Sequence, residues 1–251
     1  NMLNSSTNNK EFRKATTAEY NSAKDTLTDN DFILLANAPN KVYMWETNNS
    51  VLYYSNVSTI FLKPDSSYMF ASTGFKTIDM SGFDTSNVTD MSYMFASCSN
   101  LTTIYVSSTW NISNVNSISS MFDDDYNLVG EKATMYDSDY TPEDYLHVDE
   151  GPTNPGYLTL KGHTKDFAIL AGFDDEGDNY ENAFNDKITS MNTDNKEFRK
   201  ATVAEYNLVK DSLTDEDIAS ADNSPISIYM WETNDSVLYY SSAPVIYLSK
   251  D

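Results

Sequence analysis

Phe75–Phe95 reads FKTIDMSGFDTSNVTDMSYMF and Leu101–Phe122 reads LTTIYVSSTWNISNVNSISSMF. Laid over one another, Phe75, Ile78 and Met80 match Leu101, Ile104 and Val106 at a spacing of 26. After one inserted residue, Val88, Met91, Met94 and Phe95 match Val115, Ile118, Met121 and Phe122 at 27. Upstream, SSYMF at Ser66–Phe70 closes a preceding turn of the same kind. A period of about 25 with L-x-x-I-x-V is the spacing of a leucine-rich repeat. In that reading the L-x-x-I-x-V piece is a short parallel strand. The following N-V-x-x-M-x-x-M-F has helically spaced apolar residues that return the chain across the other face, and Asn87 and Asn114 cap that return or bridge backbone between turns. Each turn needs neighbours, because alone it cannot bury its apolar side. In the second turn Ser107-Ser108-Thr109-Trp110 replaces SGFDT, so an irregular strand edge is expected there.

A larger repeat surrounds this one. Asn9–Asp65 aligns without a gap on Asn195–Asp251, with 35 of 57 positions identical, which marks a duplicated structural unit. Each copy opens with a short strand (Lys10–Lys14, Lys196–Lys200). A capping box follows, Thr16-x-x-Glu19 or Thr202-x-x-Glu205, in which hydroxyl and carboxylate satisfy free amides at a helix start. Tyr20, Ala23 and Leu27, or Tyr206, Val209 and Leu213, share one face of a helix expected to end near Thr28-Asp29. VYMWET and SVLYYS then form a hairpin rich in aromatic and β-branched residues, and Ser58–Leu62 is a third strand. Pro152–Gly156 is a turn leading into a strand over Tyr157–Leu160, and FAILAGF (Phe167–Phe173) is a buried strand opening the second copy.

The fold class is therefore α+β and β-rich: a short solenoid flanked by two copies of a helix-plus-hairpin module. The expected domains are 1–65, a first module incomplete at its start; 66–162, the solenoid with its exit segment; and 163–251, the second module. Mid-unit ends and an initial Asn are the pattern of a processed or trimmed segment of a larger protein.

FDTSNVTDMSYMFASCSNLTTI resembles the signature of the BspA-type leucine-rich repeat family of bacterial surface proteins, which includes a variant first described from mycoplasmas as a domain of unknown function. Thr134–Gly162 is similar to the tail that follows such repeats, and the flanking modules are similar to the segments that introduce them. The resemblance implies an extracellular, cell-surface location and adhesion to ligands on host or neighbouring cells.

Thirty-eight Asp and Glu against 16 Lys and Arg give a net charge of −22, with no basic stripe for nucleic acid or anionic lipid. No apolar run reaches the length of a bilayer span, so no membrane insertion is expected in this segment. Cys98 is the only cysteine, which excludes an intrachain disulfide. His147 and His163 lie outside any triad-like or metal-ligating pattern, no glycine-rich phosphate loop is present, and no cofactor and no catalysis are expected. Asp123-Asp124-Asp125 and Asp174–Asn179 are oxygen-rich clusters of the kind that suits Ca²⁺, but neither has EF-hand spacing, and solvated acidic loops are the better reading.

The expected role is a stalk or adhesin-like surface acting on a protein partner, with a ligand face on the solvent-facing strand residues Thr77, Asp79, Thr103 and Tyr105. The alternative is self-association into a head-to-tail filament. That reading would bury the apolar positions Phe32, Ile33, Leu34, Leu35 and Leu208, where the two copies differ most, between units.

Overall fold

In the computed structural model the described residues are 10–28, 31–33, 42–47, 50–55, 57–139, 141–165, 167–169, 172–173, 180–181, 187, 190–191, 197–220, 224–233, 237–241 and 245–247. The chain is β-rich with few helices, an α+β protein. It divides into two compact units, Asn1–His163 and Thr164–Asp251.

The first unit is organised by one mixed sheet. β1 (Glu11–Lys14) precedes α1 (Thr17–Ala23), β2 (Phe32–Ile33), β3 (Val42–Thr47), β4 (Val51–Tyr54) and β5 (Ile60–Phe61). β6 (Thr77–Asp79), β7 (Phe83–Asp84), β8 (Thr103–Val106), α2 (Pro142–Tyr145) and β9 (Leu158–Leu160) follow. The sheet order is β2-β3-β4-β1-β6-β8-β9. β2, β3 and β4 are antiparallel, as short hairpin connections allow. From β4 through β1, β6 and β8 to β9 every pairing is parallel. β1 is thus the seam that joins the hairpin module to the succession of turns.

α1 is shorter than expected from its apolar spacing. Thr16 and Glu19 form the capping box at its start. At its end the Ala23 carbonyl accepts from both the N–H (2.8 Å) and the hydroxyl (2.7 Å) of Thr26, which turns the chain out of the helix before Leu27.

The return segments are not helical. Met94 N–H bonds Met91 O and Ala96 N–H bonds Tyr93 O, local three-residue closures. The residues between them spend their donors on the next turn: Met91, Tyr93, Phe95 and Ser97 N–H reach Ser117, Ser119, Met121 and Asp123 O. One turn earlier, Ser66, Tyr68, Phe70 and Ser72 N–H reach Asp90, Ser92, Met94 and Ala96 O in the same way. A helix uses those donors internally, so it cannot make this ladder. The alternation is set by residues at positive φ, Tyr68, Ser72, Tyr93, Ser97, Ser120 and Asp124. Inside, Phe70, Phe95 and Phe122 stack at 5.6 and 5.9 Å with nearly parallel rings, and all three are buried. Removing a water-exposed ring of this size stabilises by about 2–3 kcal/mol each. The second turn has no counterpart of β7. There Thr85 Oγ1 donates to Asn111 O (2.6 Å) and accepts from Asn111 N–H (3.1 Å), a side chain standing in for a strand pairing. Asn114 Nδ2 bridges back to Ser86 O at 2.6 Å.

The exit segment is tied by one buried carboxylate. Asp149 accepts from the N–H groups of Lys132, Thr134 and Gly151 and from the Thr134 hydroxyl, at 2.7–3.0 Å. This cinches the loop that leads into β9.

In the second unit β10 (Phe167–Ile169), β11 (Gly172–Phe173), β12 (Tyr180–Glu181), β13 (Glu197–Lys200), α3 (Val203–Val209), β14 (Met230–Glu232), β15 (Val237–Tyr240) and β16 (Val245–Tyr247) follow in order. The stretch read as one strand, Phe167–Phe173, is split between two ladders: β10 pairs parallel with β16, and β11 antiparallel with β12. β13, β15 and β14 form a sheet whose registers repeat those of β1, β4 and β3, shifted by 186 residues. Tyr206, Val209 and Leu213 pack together on Ala201, Trp231 and Tyr239.

Candidate binding surfaces

The four strand residues do come together on one face. Thr77 lies opposite Thr103, and Asp79 opposite Tyr105. That face is not open, however: Asp79 and Thr103 are buried, and only Thr77 and Tyr105 are half-exposed. Lys161, just beyond β9, arches over it. Its Nζ sits 2.7 Å from Asp79 Oδ2 and 4.8 Å from the Tyr105 ring centroid. Asp79 Oδ1 accepts from Ser81 N–H, and its carbonyl accepts from the buried Tyr54 hydroxyl. Asp79, Thr103 and Tyr105 are already engaged by Lys161, Ser81 and Thr102, which leaves Thr77 as the half-exposed member of the face with no side-chain contact to that cation.

The opposite, return side carries the exposed chemistry. Tyr68 and Tyr93 stack at 4.8 Å with an 8° interplanar angle and are 58% and 36% exposed. Both occupy the left-handed region, at φ 57° and 56°, which costs a non-glycine residue about 1–2 kcal/mol. Asn or Gly would be cheaper in these turns. Beside them Ser92 and Ser117 hydroxyls are 2.6 Å apart, and Asp90 Oδ1 accepts from Ser92 N–H. The sequence reading weighed only the Val, Met and Phe of these returns and gave the tyrosine of S-Y-M-F no role. The signal was present in the repetition of Tyr two residues before a buried Phe.

A second concavity, an open groove of about 470 Å³, lies between α1 and the β3–β4 hairpin. Ala18, Glu19, Ser22, Ala23, Trp45, Thr47 and Tyr53 line it, and Trp45 stacks on Tyr53 at 5.4 Å. Arg13 lies over Tyr53 and bonds Glu19 through both terminal nitrogens (3.0 and 2.6 Å), which holds the Glu19 carboxyl well below the usual carboxylate range. In the second module Val209 replaces Ala23 and packs against the cluster of Trp231, which is buried where Trp45 is half-exposed. Leu208 replaces Ser22 and is 84% exposed.

Of the other apolar positions, Phe32 and Ile33 supply the backbone of the edge strand β2, while Leu34 and Leu35 lie outside the described residues.

The histidines are held structurally. His163 Nδ1 is 2.8 Å from Glu131 Oε1, and Leu160 N–H donates to the other oxygen. Burial pushes the Glu131 carboxyl up, but those bonds and the nearby charges of His163 and Lys132 outweigh it and leave it lowered. His147 ring nitrogens face the carbonyls of Val148 and Asp144. Asp125 is fully buried: its Oδ1 accepts from Cys98 N–H and its Oδ2 has no partner. Burial first, and the charges of Asp124 and Asp123 in support, raise its pKa against the opposing Cys98 bond. Among the described residues no group of three or more His, Cys, Asp or Glu is placed to hold a metal ion, and the Asp174–Asn179 cluster lies outside them. Nor, among them, is any helix long and apolar enough to cross a membrane.

Residues 43–137 match the family model described as Mycoplasma protein of unknown function, DUF285. That segment runs from the first hairpin through the three stacked phenylalanines. No curated protein and no solved structure matches the chain.

Proposed function

We propose that the chain is a non-enzymatic bacterial surface protein, extracellular, in which residues 66–162 form a BspA-type leucine-rich-repeat solenoid that presents an adhesin-like binding surface between two modules. Parallel strands one repeat apart, the phenylalanine ladder and the similarity over 43–137 support the solenoid reading. The observation that carries the binding reading is the exposed Tyr68–Tyr93 pair. The positive φ belongs to the ladder, since Ser120 shares it; what supports use at these two positions is a large stacked aromatic pair kept in solvent. In this reading the return side meets the ligand, rather than the strand residues Thr77, Asp79, Thr103 and Tyr105. The test is binding of the purified chain to immobilised glycans and extracellular-matrix proteins, with Y68A/Y93A as comparison. The reading predicts a bound ligand and at least a tenfold loss in the double variant. A chain that binds nothing, or a variant that binds equally well, sinks it.

The second reading, a head-to-tail filament, is favoured by Leu208 and Val203, 84% and 77% exposed on α3. Light scattering with negative-stain microscopy separates the two. Fibres shortened by Leu208→Asp support assembly, and monodisperse monomers remove it.

A further inference from the structure

The inner and outer sides of the return ladder do not end together. Inside, each of three successive turns supplies a ring, Phe70, Phe95 and Phe122. Outside, Tyr68 stacks on Tyr93 at 4.8 Å and 8°, and the equivalent residue of the next turn is Ser120. The backbone does not distinguish the three positions, whose φ values are 57°, 56° and 55°. Tyr68 N–H bonds Ser92 O just as Tyr93 N–H bonds Ser119 O. Turns set about 4.8 Å apart by backbone pairing hold such rings at stacking distance. The outer ladder is therefore one rung short. Beyond Tyr93 lies a step one ring deep, with the tyrosine face as its wall and Ser120 as its floor.

Nothing in the chain fills that step. Among the described residues Tyr93 has Tyr68 as its one ring partner, and the Ser120 hydroxyl takes part in no hydrogen bond. The groups along the same turn are polar. Ser119 is exposed, and its hydroxyl lies 3.5 Å from that of Ser92, which sits 2.6 Å from the Ser117 hydroxyl. Asp123 and Asp124 are exposed, and Asp124 accepts from the Ser97 and Tyr126 hydroxyls. An aromatic side chain from a partner would match the wall and leave these groups unused. A pyranose matches both, because its C–H bonds meet the negative face of the tyrosine while its rim of hydroxyls reaches the oxygens. The net charge of −22 disfavours sulfated or sialylated sugars.

We infer that the step beside Tyr93, over Ser120, is a subsite for a neutral sugar ring, which completes the outer ladder as its third rung. The inference rests on the tyrosine pair being the binding surface and adds the class of ligand and its place on that pair.

The test measures binding of the purified chain to an array of neutral and anionic oligosaccharides, beside immobilised extracellular-matrix proteins. Neutral glycans are expected to bind and anionic ones to be refused. Ser120→Tyr builds the missing rung on a backbone that already carries tyrosine at the two preceding positions. It is expected to weaken glycan binding about tenfold or more without lowering the urea midpoint, whereas Ser120→Gly leaves the step open and should bind as the parent does. If Ser120→Tyr does not fold, single alanine variants decide: Tyr93→Ala must cost more binding than Tyr68→Ala, whose ring lies on the far side of the stack from Ser120. Glycan binding that survives a folded Ser120→Tyr, or that depends more on Tyr68 than on Tyr93, overturns the subsite and leaves the tyrosine-pair reading standing. Binding of matrix proteins alone, lost in Y68A/Y93A, overturns the sugar class and again leaves that reading standing. A chain that binds neither, or binds without regard to both tyrosines, removes the two together.

Discussion

Arg13 and Glu19 form a two-point fork between β1 and the first turn of α1, and Arg199 and Glu205 repeat it in the second module. Each glutamate also closes a capping box and meets a tyrosine whose ring lies under the arginine. One carboxylate therefore fixes a helix start, a strand and a hairpin at once.

The pH consequence has a definite sign. Hydrogen bonds from the arginine, then from the capping threonine, hold both carboxyls below their ordinary values. Their contribution is present above the unfolded carboxylate pKa of about 4.3 and is lost as pH falls below it. Urea midpoints should drop from pH 6 to pH 2.5, and E19Q/E205Q should be less stable at pH 6 with a shallower fall. An unchanged pH slope in the double variant removes the fork as its source.

Asp125 works in the opposite direction. Its raised pKa means the fold favours the neutral carboxyl. That favour is complete below about pH 3.9 and is lost as pH rises through the folded-state value. Asp125→Asn keeps an oxygen for the Cys98 amide and carries no charge. It is expected to stabilise the first unit by about 1–2 kcal/mol at pH 7 and by little at pH 3. Chemical denaturation at the two pH values checks this, and equal effects at both contradict it.

The two faces of the SYMF turn should separate folding from binding. Phe70→Ala empties a stacked core position and should cost about 3–5 kcal/mol. Tyr68→Asn trades a stacking contact for relief at positive φ and should stay within about 1 kcal/mol of the parent. Thermal or urea unfolding of both variants decides, and a large loss in Tyr68→Asn would assign the ring a packing role.

Cys98 should behave as core. It is buried, with its thiol pushed up to about 12 by burial first and by the Asp125 charge, and its sulfur sits 3.1 Å from Phe70 O. Alkylation at pH 8 should be negligible in the native chain and rapid in denaturant. Fast native labelling would show that the ladder opens locally.

Much of the fold was legible because it rests on local chemistry. The capping boxes, the YMWET–SVLYYS hairpins and the strands that open on Thr77-Ile78 and Thr103-Ile104 are each encoded within a few residues. The conformation of the returns was not legible, since Met91, Met94 and Phe95 have the same spacing on a helix as on successive turns. What decides between them is where the amides of Tyr93 and Ser97 find acceptors, and those lie a full turn away in sequence. The burial of Asp79 escaped for a similar reason: the residue that covers it, Lys161, is 82 positions downstream. Tyr68 and Tyr93 escaped because composition reports an aromatic residue without its φ.

The alternating amide ladder sets where a repeat can change length. An extra residue inside 91–97 would swap every donor in that run for a carbonyl and leave the adjoining turn without acceptors in register. The additional residue of the second repeat in fact falls between Val106 and Val115, around Trp110, where a threonine hydroxyl replaces backbone pairing. Evolutionary insertions and deletions in such chains should therefore collect in that corner, leaving both flanking ladders at constant length.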